Sequence, residues 1–343
     1  MFTSPILVAP MAGGTSTPAL VVAAAHAGAM GFLAAGYKSV ETLAAQLAEV
    51  RAAEVPFGVN VFVPSALVPG GRTDPGALAA YRNELAAEAD RYAIVLPPLT
   101  VEDDDDGWAA KVDLLTSDPV PFVSFTFGLA PAAVVRRIQR AGSRVLASVT
   151  SVDEALLAAE TGVDALVVQH SNAGSHTAAF LPAPATGPGK AAPDAAALVA
   201  ELRQCVDLPL IGAGGLGSGA DIRAVLAAGA DAVQLGTVFL RSVESGARQL
   251  HKDALADPQY TRTIVTRAFT GKPARALPNR FAREHTQTAP SGYPSIHRLT
   301  SPIRAAAAAQ ADAEGINLWA GTGWQQARSL PARQLVTDFL QGL

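Results

Sequence analysis

LPLIGAGGLGSGADIRAVLAAGADAVQLGTVFL occupies residues 208–240 and contains two short apolar runs, each followed by a glycine turn. The runs 208–213 and 231–235 predict buried parallel strands with a helix between them and another helix after the second strand. Their turns, Gly214–Gly215 and Gly236–Thr237, carry no bulky side chain, so a ligand can approach the backbone closely. Backbone N–H groups at a helix N-terminus also favour phosphate. We therefore predict a phosphate site built from these two turns.

A dinucleotide-binding fold is the rival interpretation, because residues 212–217 match the pattern G-x-G-x-x-G after a strand. That fingerprint also requires an acidic residue at the end of the next strand to hold a ribose. Here the next strand ends in Gln234–Thr237 without an acid. We favour a barrel, in which the loops after the last two strands commonly form a phosphate cradle.

Upstream of this unit, apolar runs alternate with helical patterns, as expected for a parallel sheet with helices outside it. We predict strands over 6–9, 31–35, 57–62, 121–125, 144–149 and 164–169. Helices are predicted after Pro18 and Pro131 and over about 40–53, 76–90, 153–161 and 194–204. Residues 91–119 are less regular and are interpreted as an insertion over one face. Eight strand–helix units predict a (β/α)8 TIM barrel over residues 1–244.

Residues 245–343 do not continue the alternation. They contain helical patterns near 244–256, 303–313 and 324–340, separated by a turn-rich stretch. We predict a helical C-terminal extension packed on the barrel rather than an independent domain.

The composition of the 343-residue chain excludes several functional classes. A net charge of −4 gives no basic surface for nucleic acid. Residues 19–36 are apolar enough to suggest a membrane span, but they contain His26 and several glycines, and no basic segment precedes them. We predict a cytoplasmic protein without a membrane segment. The single cysteine, Cys205, excludes an internal disulfide framework and is expected to be packed.

Residues at the carboxyl ends of the predicted strands are rich in amides and backbone donors and poor in charge. They include Met11, Asn60, Gln169 and the loop 170–176. Function in such barrels is located at this end of the strands. The set suits a neutral, planar, hydrogen-bonding ring attached to a phosphate, a description that flavin mononucleotide (FMN) fits.

Several motifs, in this order, occur together in one known family. They are APMAGG at 9–14, HAGAMGFLAAGY at 26–37, FGVNVF at 57–62, QHSNAGSH at 169–176, GAGGLGSG at 212–219, QLGTVFL at 234–240, TGKPARALPNRF at 270–281 and LWAGTG at 318–323. Over nearly its whole length the chain resembles the FMN-dependent nitronate monooxygenases, formerly called 2-nitropropane dioxygenases. The resemblance implies oxidation of alkyl nitronates, and of nitroalkanes where the enzyme accepts them, by O2 to carbonyl compounds and nitrite.

The resemblance also implies roles for individual residues. His176 matches the active-site histidine, which would hold the substrate and take the α-proton of a neutral nitroalkane. With Met11 placed against the ring, the expected FMN contacts are Met11, Asn60, Gln169, Gly174, Gly215, Gln234, Leu235, Gly236 and Thr237.

The loop before His176 departs from the family pattern Gln-Gly-x-Glu-Ala-Gly-Gly-His. His170, Asn172 and Ser175 replace a glycine, the glutamate and another glycine. These changes are expected to alter the shape or polarity of the pocket, and so bear on the preferred substrate more than on the cofactor.

Two alternative functions stay open at this point. One is an FMN-dependent enoyl-acyl carrier protein reductase using NAD(P)H, and the other is a barrel that binds a different phosphorylated ligand without flavin or without catalysis. We predict no metal site, because the acidic run 102–106 fits a solvated start to the helix through Trp108. The expected partners are a small nitronate substrate and O2. The sequence does not decide whether the protein forms a homo-oligomer.

Overall fold

Eight parallel strands close into a barrel in the computed structural model of the protein, which describes residues 1–67, 74–99, 105–181 and 194–343. In chain order the strands are β1 (Ile6–Val8), β2 (Met30–Ala34), β3 (Phe57–Phe62), β4 (Phe122–Thr126), β5 (Arg144–Val149), β6 (Ala165–Gln169), β7 (Ser175–His176), β8 (Leu210–Ala213), β9 (Ala232–Leu235), β10 (Ile264–Thr266) and β11 (Ala274–Ala276). The barrel order is β1-β2-β3-β4-β5-β6-β8-β9, closed by the parallel pairing of β1 with β9. The predicted (β/α)8 barrel is confirmed.

The helices surround this barrel and extend beyond it. They are α1 (Pro18–His26), α2 (Val40–Arg51), α3 (Pro75–Glu84), α4 (Ala86–Arg91), α5 (Trp108–Ser117), α6 (Ala132–Arg140), α7 (Val152–Glu160), α8 (Ala195–Arg203), α9 (Gly219–Ala227), α10 (Gln249–Ala254), α11 (Arg280–His285), α12 (Ser295–Ala309) and α13 (Ala332–Gln341). Several begin at the side-chain caps that the sequence offers. At α9, Ser218 and Asp221 form a reciprocal capping box, which fixes the helix directly after the turn that follows β8.

Apolar side chains fill the barrel interior at its amino-terminal end. Leu7, Phe32, Leu146 and Ile211 form part of this cluster, and Phe2 stacks on Phe122 with ring centroids 5.5 Å apart. A larger core lies between the strands and the outer helices. Because the amino-terminal end is filled, space for a ligand is left at the carboxyl ends of the strands.

Two of the helices that surround the barrel come from parts of the sequence where we did not predict a barrel helix. The third position is held by α5, which packs against α2, α6 and β3, whereas the predicted helix over 76–90 is divided into α3 and α4. Leu78, Tyr81 and Leu85 of that region bury instead in a second core, formed mainly with residues 240–324. The interpretation of 91–119 as an insertion was therefore wrong for α5, whose Val112 and Leu115 are buried.

The eighth helix position is filled from a distant part of the sequence. Only a short 3-10 helix, Thr237–Phe239, follows β9 where we predicted a longer helix. Instead α13 packs against α1, and Leu335, Val336 and Phe339 join the core of the barrel. The division at 244/245 stays a prediction, but α13 shares the core of the first part.

The other helices of the extension also differ from prediction. The helix near 244–256 is reduced to α10, and α12 begins earlier than the predicted 303–313 and contains Pro302. The stretch 324–340 is divided into a 3-10 helix, Trp324–Gln326, and α13. Cys205 is exposed rather than packed. Across 1–67, 74–99, 105–181 and 194–343, no helix is both long and apolar enough to cross a membrane.

A small antiparallel sheet, β10-β11-β7, joins the extension to the barrel mouth. Its member β7 belongs to the loop after β6, and His176 and Ser175 pair with Ala274 and Arg275 of β11. The extension therefore fixes the backbone on which the predicted active-site histidine stands.

Candidate functional site

A cavity of about 510 Å³ lies at the carboxyl ends of the barrel strands. Small-molecule sites in proteins commonly measure about 300–1,000 Å³. All ten residues predicted for the site line this cavity: Met11, Asn60, Gln169, Gly174, His176, Gly215, Gln234, Leu235, Gly236 and Thr237. The structure thus brings together residues from five strands or their following loops.

Three neighbouring strands supply a row of polar side chains on one wall. Asn60 of β3 donates through Nδ2 to Ser124 Oγ at 2.9 Å and to Thr126 Oγ1 at 2.8 Å. Thr126 Oγ1 lies 3.0 Å from Ser148 Oγ of β5. Since the amino group of Asn60 is used in these bonds, its carbonyl oxygen is the part of the amide left for a ligand.

The two glutamines differ in how they are satisfied. Gln169 supports the loop that carries His176, because Nε2 donates to the His176 carbonyl at 3.3 Å and Oε1 accepts from Ala178 N at 2.7 Å. Gln234 is 8% exposed, and its Nε2 has no hydrogen-bond partner in the described chain. A buried amide donor without a partner costs free energy, so this atom is suited to donate to a polar ligand in the cavity.

The glycine turns pack three loops closely against one another. A Cβ at Gly174 would lie 2.5 Å from Gly321 N and 2.7 Å from Thr237 Oγ1, and Gly321 N donates to that hydroxyl at 3.0 Å. Gly215 has φ +81°, and a Cβ there would lie 2.7 Å from Asn172 Cβ. We had expected Gly215 to be required for the approach of phosphate. Its conformation and the adjacent loop already exclude a side chain.

Gly236 differs from Gly174 and Gly215, because no neighbouring protein atom would clash with a side chain there. A Cβ there would meet only Ala9 Cβ at 3.5 Å and Met11 Sδ at 3.9 Å, which are ordinary contacts. The position of Met11 is fixed from its backbone, whose N–H donates to Ser16 Oγ at 2.8 Å. Leu235 anchors the same edge, since its carbonyl accepts from Ala9 N at 2.8 Å.

His176 stands between aromatic side chains and two hydroxyl groups. Its ring lies edge-on to Phe127, with centroids 5.6 Å apart, and 5.3 Å from Trp319. Burial, together with the charges of Lys272 and Arg304, lowers the pKa of His176 to about 3. The neutral imidazole is the form present at physiological pH.

The wall of the cavity opposite the strand ends is formed by arginine and histidine side chains. Arg248, His251, His297 and Arg304 line the cavity, and its described lining contains no aspartate or glutamate. Arg304 donates to Ser301 Oγ at 2.8 Å and to Asn317 Oδ1 at 3.2 Å, which are neutral acceptors. Burial, with Arg248 nearby, lowers the pKa of Arg304 to about 10, so it remains charged. This electrostatic environment favours an anionic ligand.

Two histidines that the sequence did not single out are part of this wall. His251 Nε2–H donates to the Trp319 carbonyl at 2.8 Å, and burial lowers the pKa of the His251 ring to about 4. His297 stacks on Tyr37 with ring centroids 4.2 Å apart. Neither lies near a strand end in the sequence, so only the packing of the extension over the barrel reveals them.

Ser124, Thr126 and Ser148 were also missed, although a signal for them existed. All three are polar residues near the carboxyl ends of β4 and β5. The rule that selected Asn60 would have found them too. Arg304 gave no such signal, since it occurs in an alanine-rich helix of the extension.

The three departures in the loop 169–176 have different positions. Ser175 lines the cavity, whereas His170 and Asn172 are not among its lining residues. His170 is 5% exposed, and its Nδ1 accepts from Asn172 N at 3.3 Å. His170 therefore supports the loop. Of the three departures, only Ser175 is placed to alter the shape or polarity of the cavity directly.

A larger groove of about 720 Å³ adjoins the cavity and shares Tyr37, His297 and Ser301 with it. None of the ten predicted residues lines this groove.

Of the predicted acidic run, 102–104 lie outside the described residues. Asp106, which borders the groove, is not solvated as we expected, because it pairs with buried Lys111 at 2.7 Å.

Comparison with known proteins finds relatives that match this chain over nearly its full length. A family model described as nitronate monooxygenase matches residues 1–342. Probable nitronate monooxygenases of Staphylococcus aureus (strain MSSA476) and Bacillus subtilis (strain 168) are 35% and 33% identical to the chain. The alignments cover 98% and 99% of this chain and 93% and 96% of those proteins.

Solved structures show the same architecture. A nitroalkane oxidase from Streptomyces ansochromogenes superposes with a TM-score of 0.92 and 45% identity, covering 100% of this chain and 96% of that one. FabK from Thermotoga maritima superposes with a TM-score of 0.74 and 25% identity, covering 99% and 93%.

Proposed function

The chain belongs to the nitronate monooxygenase family, and from this premise we propose that it oxidises alkyl nitronates with O2 to a carbonyl compound and nitrite. Its similarity to a nitroalkane oxidase supports nitro compounds as the substrate class. The single observation that carries the proposal is the charge of the cavity. A nitronate is an anion, and the described lining supplies Arg248 and Arg304 without any carboxylate.

We propose FMN as the flavin of this site, because the residues present fit it. The unpartnered Gln234 Nε2 and the Asn60 carbonyl are polar groups suited to the ring edge or the ribityl chain. The turns at Gly215 and Gly236 offer backbone N–H groups to the phosphate. When bound, FMN would supply the electron-accepting chemistry of the reaction.

His176 is proposed to take the α-proton when the substrate is a neutral nitroalkane. The neutral imidazole has a lone pair available at physiological pH, as a general base requires. A preformed nitronate needs no such base, and for it His176 would serve to orient the anion. Phe127 and Trp319 limit the access of water to the imidazole.

Gly236→Ala tests the cofactor site without disturbing the protein. The nearest contact of the new methyl group is 3.5 Å, so the fold should be retained while the methyl group obstructs the ligand. We expect purified wild-type protein to be yellow, mass spectrometry to identify the released ligand as FMN, and the variant to bind FMN at least about tenfold more weakly, a change of about 1.4 kcal/mol.

Gly76→Ala, in α3, is the matched control, because its methyl group would also have room, with Asp74 Oδ1 at 3.4 Å. It should bind FMN as the wild type does. Colourless wild-type protein that takes up no added FMN would reject the proposal and favour a barrel for another phosphorylated ligand.

Anaerobic mixing separates the two enzymatic functions. We expect an alkyl nitronate to bleach the flavin absorbance rapidly, with NADH or NADPH acting more slowly. Rapid bleaching by NAD(P)H alone, coupled to loss of an enoyl thioester, would instead support the enoyl-acyl carrier protein reductase. Membership of the nitronate monooxygenase family does not favour that alternative.

A further inference from the structure

Ser175 adopts a backbone conformation that does not suit a serine. Its φ is +66°, in the left-handed region that glycine enters freely and residues with a Cβ enter at a cost. The family pattern stated above has a glycine at this position. A strained residue that lines a functional cavity raises the question of what its side chain contributes.

The side chain of Ser175 contacts the imidazole of the next residue. Ser175 Oγ lies 3.2 Å from His176 Nδ1, and Thr270 Oγ1 lies 2.9 Å from His176 Nε2. Both hydroxyl groups belong to residues that line the cavity, and Thr270 is 1% exposed. The imidazole is thus held between two hydroxyls, one at each nitrogen.

The surroundings of Thr270 allow its hydroxyl to accept from His176 Nε2–H. Its hydroxyl can donate to the Lys272 carbonyl at 3.4 Å, and it accepts from the Lys272 N–H at the same distance. A hydroxyl has only one proton to donate. When that proton points to the Lys272 carbonyl, Thr270 Oγ1 accepts from His176 Nε2–H, which leaves the lone pair on Nδ1.

We propose that Ser175 and Thr270 are positioning residues that hold His176 as the Nε2–H tautomer and make Nδ1 the atom that takes the substrate's α-proton. The inference rests on the proposed function. In the step, the Ser175 hydroxyl first turns its proton away from Nδ1, which frees the single lone pair of that nitrogen. The α C–H bond then breaks, its electron pair delocalises onto the nitro group to give the nitronate, and the proton forms the Nδ1–H bond. Once the nitronate has moved away, Ser175 Oγ accepts from Nδ1–H, while Nε2–H continues to donate to Thr270.

The second hydroxyl matters because the charges near His176 oppose its protonation. Lys272, Arg304 and His297 interact electrostatically with the ring. No carboxylate of the described chain lines the cavity to compensate. The two hydroxyls therefore supply acceptors for both N–H groups of the imidazolium, and a glycine at 175 would supply none at Nδ1.

Ser175→Gly separates this role from a structural one. The variant should unfold at a higher temperature, because the strain is relieved, yet lose about 10- to 100-fold in kcat/KM for a neutral nitroalkane, as expected for a hydrogen bond to a charged group. The loss with a preformed nitronate should be much smaller. Thr270→Val should show the same selective loss, and Thr270→Ser should restore most of the activity.

Ser171→Gly is the matched control in the same loop, because Ser171 is exposed and does not line the cavity. It should change neither activity. Full nitroalkane activity in Ser175→Gly would overturn the proposal.

A second measurement does not depend on turnover. In protein labelled with nitrogen-15 histidine, the His176 signals can be identified by their loss in His176→Asn. At neutral pH we expect Nδ1 to show the chemical shift of an unprotonated nitrogen and Nε2 that of a protonated one. The reverse pattern would overturn the proposal, whereas wild-type protein that oxidises no nitronate would overturn only the proposed function.

Discussion

At the scale of single residues, the positions of the strand ends predicted the site residues that belong to the barrel. They predicted none of the residues on the opposite wall, which the extension supplies. Asn60 and Gln234 could be selected because polar residues at strand ends face the mouth of a barrel. Arg304 and His297 could not, since they reach the cavity only through the packing of α12 over it. The pKa of His176 was also beyond the sequence, because it depends on burial by residues far away in the chain.

His176→Asn should retain FMN and distinguish the two substrate types. If general-base catalysis is the contribution removed, oxidation of a neutral nitroalkane should fall about 10²–10⁴-fold. Oxidation of the nitronate should fall much less, and steady-state assays with both substrates on flavin-loaded protein measure the difference. Unchanged turnover of both, with flavin bound, would move the chemistry away from His176.

Arg304→Met should weaken nitronate binding. Unlike exposed Arg248, the guanidinium of Arg304 is partly buried in the wall. Its loss should therefore lower kcat/KM by about 10- to 100-fold, equivalent to about 1.4–2.8 kcal/mol. Steady-state kinetics and flavin content measured on the same sample separate this effect from loss of FMN. Arg136→Met, at an exposed position on α6, is the control. Equal kcat/KM in the two variants would contradict an anion-binding role for Arg304.

At the scale of elements, the eight barrel strands were predicted to within two residues at either end, and the helices less well. The short strands β7, β10 and β11 were not predicted. Apolar runs between turns mark buried strands directly. Helical periodicity over 76–90 was read correctly as helix but wrongly as part of the barrel, because an apolar stripe does not specify which core will bury it. The same limit concealed α13, whose pattern carries no sign that it packs beside α1.

Phe339→Ala should therefore destabilise the barrel, although the residue lies in the extension. Phe339 is 6% exposed, and its ring lies 6.2 Å from that of Phe239. A buried phenylalanine replaced by alanine costs about 3–5 kcal/mol. Denaturant unfolding measures the change, with exposed Arg333→Ala of the same helix expected within about 0.5 kcal/mol of wild type. A loss below about 1 kcal/mol for Phe339→Ala would argue against a core role for α13.

At the scale of the whole molecule, a charge cluster joins the two parts of the second core. Arg280 of α11 binds Glu88 of α4 through both Nη atoms of its guanidinium, with Nη2 at 2.9 Å from Oε2. His285 contacts Glu84 at 2.7 Å and Glu88 at 3.7 Å. Burial would raise the pKa of Glu88, but the proximity of His285 and the hydrogen bonds and charge of Arg280 prevail and lower it to about 2.

Glu88→Gln should therefore cost stability in a defined pH window. A carboxyl group whose pKa is lower in the folded state stabilises the fold above its unfolded value, here 4.5, and that contribution is lost as the pH falls towards 2. At pH 7 we expect a loss of about 2 kcal/mol, allowing for solvent screening. The difference from wild type should shrink progressively below pH 4.5 in urea unfolding curves.

Glu284→Gln is the control for this cluster, because Glu284 also pairs with Arg280, at 2.9 Å, but is 50% exposed. Exposed pairs contribute about 0–1 kcal/mol. A pH-independent difference between Glu88→Gln and wild type would show that the carboxylate charge is not what stabilises the cluster.

The helix α13 has a consequence for how the protein is made. On the ribosome, β9 emerges long before α13, and until then one side of the nascent barrel lacks its eighth helix. The histidine-bearing strand β7 similarly waits for β11. Pairings between distant segments form slowly. The full ring of eight outer helices and the cavity are therefore expected to be complete only after synthesis has passed residue 341, so that an incomplete nascent chain would present neither a fully covered barrel nor a finished binding site.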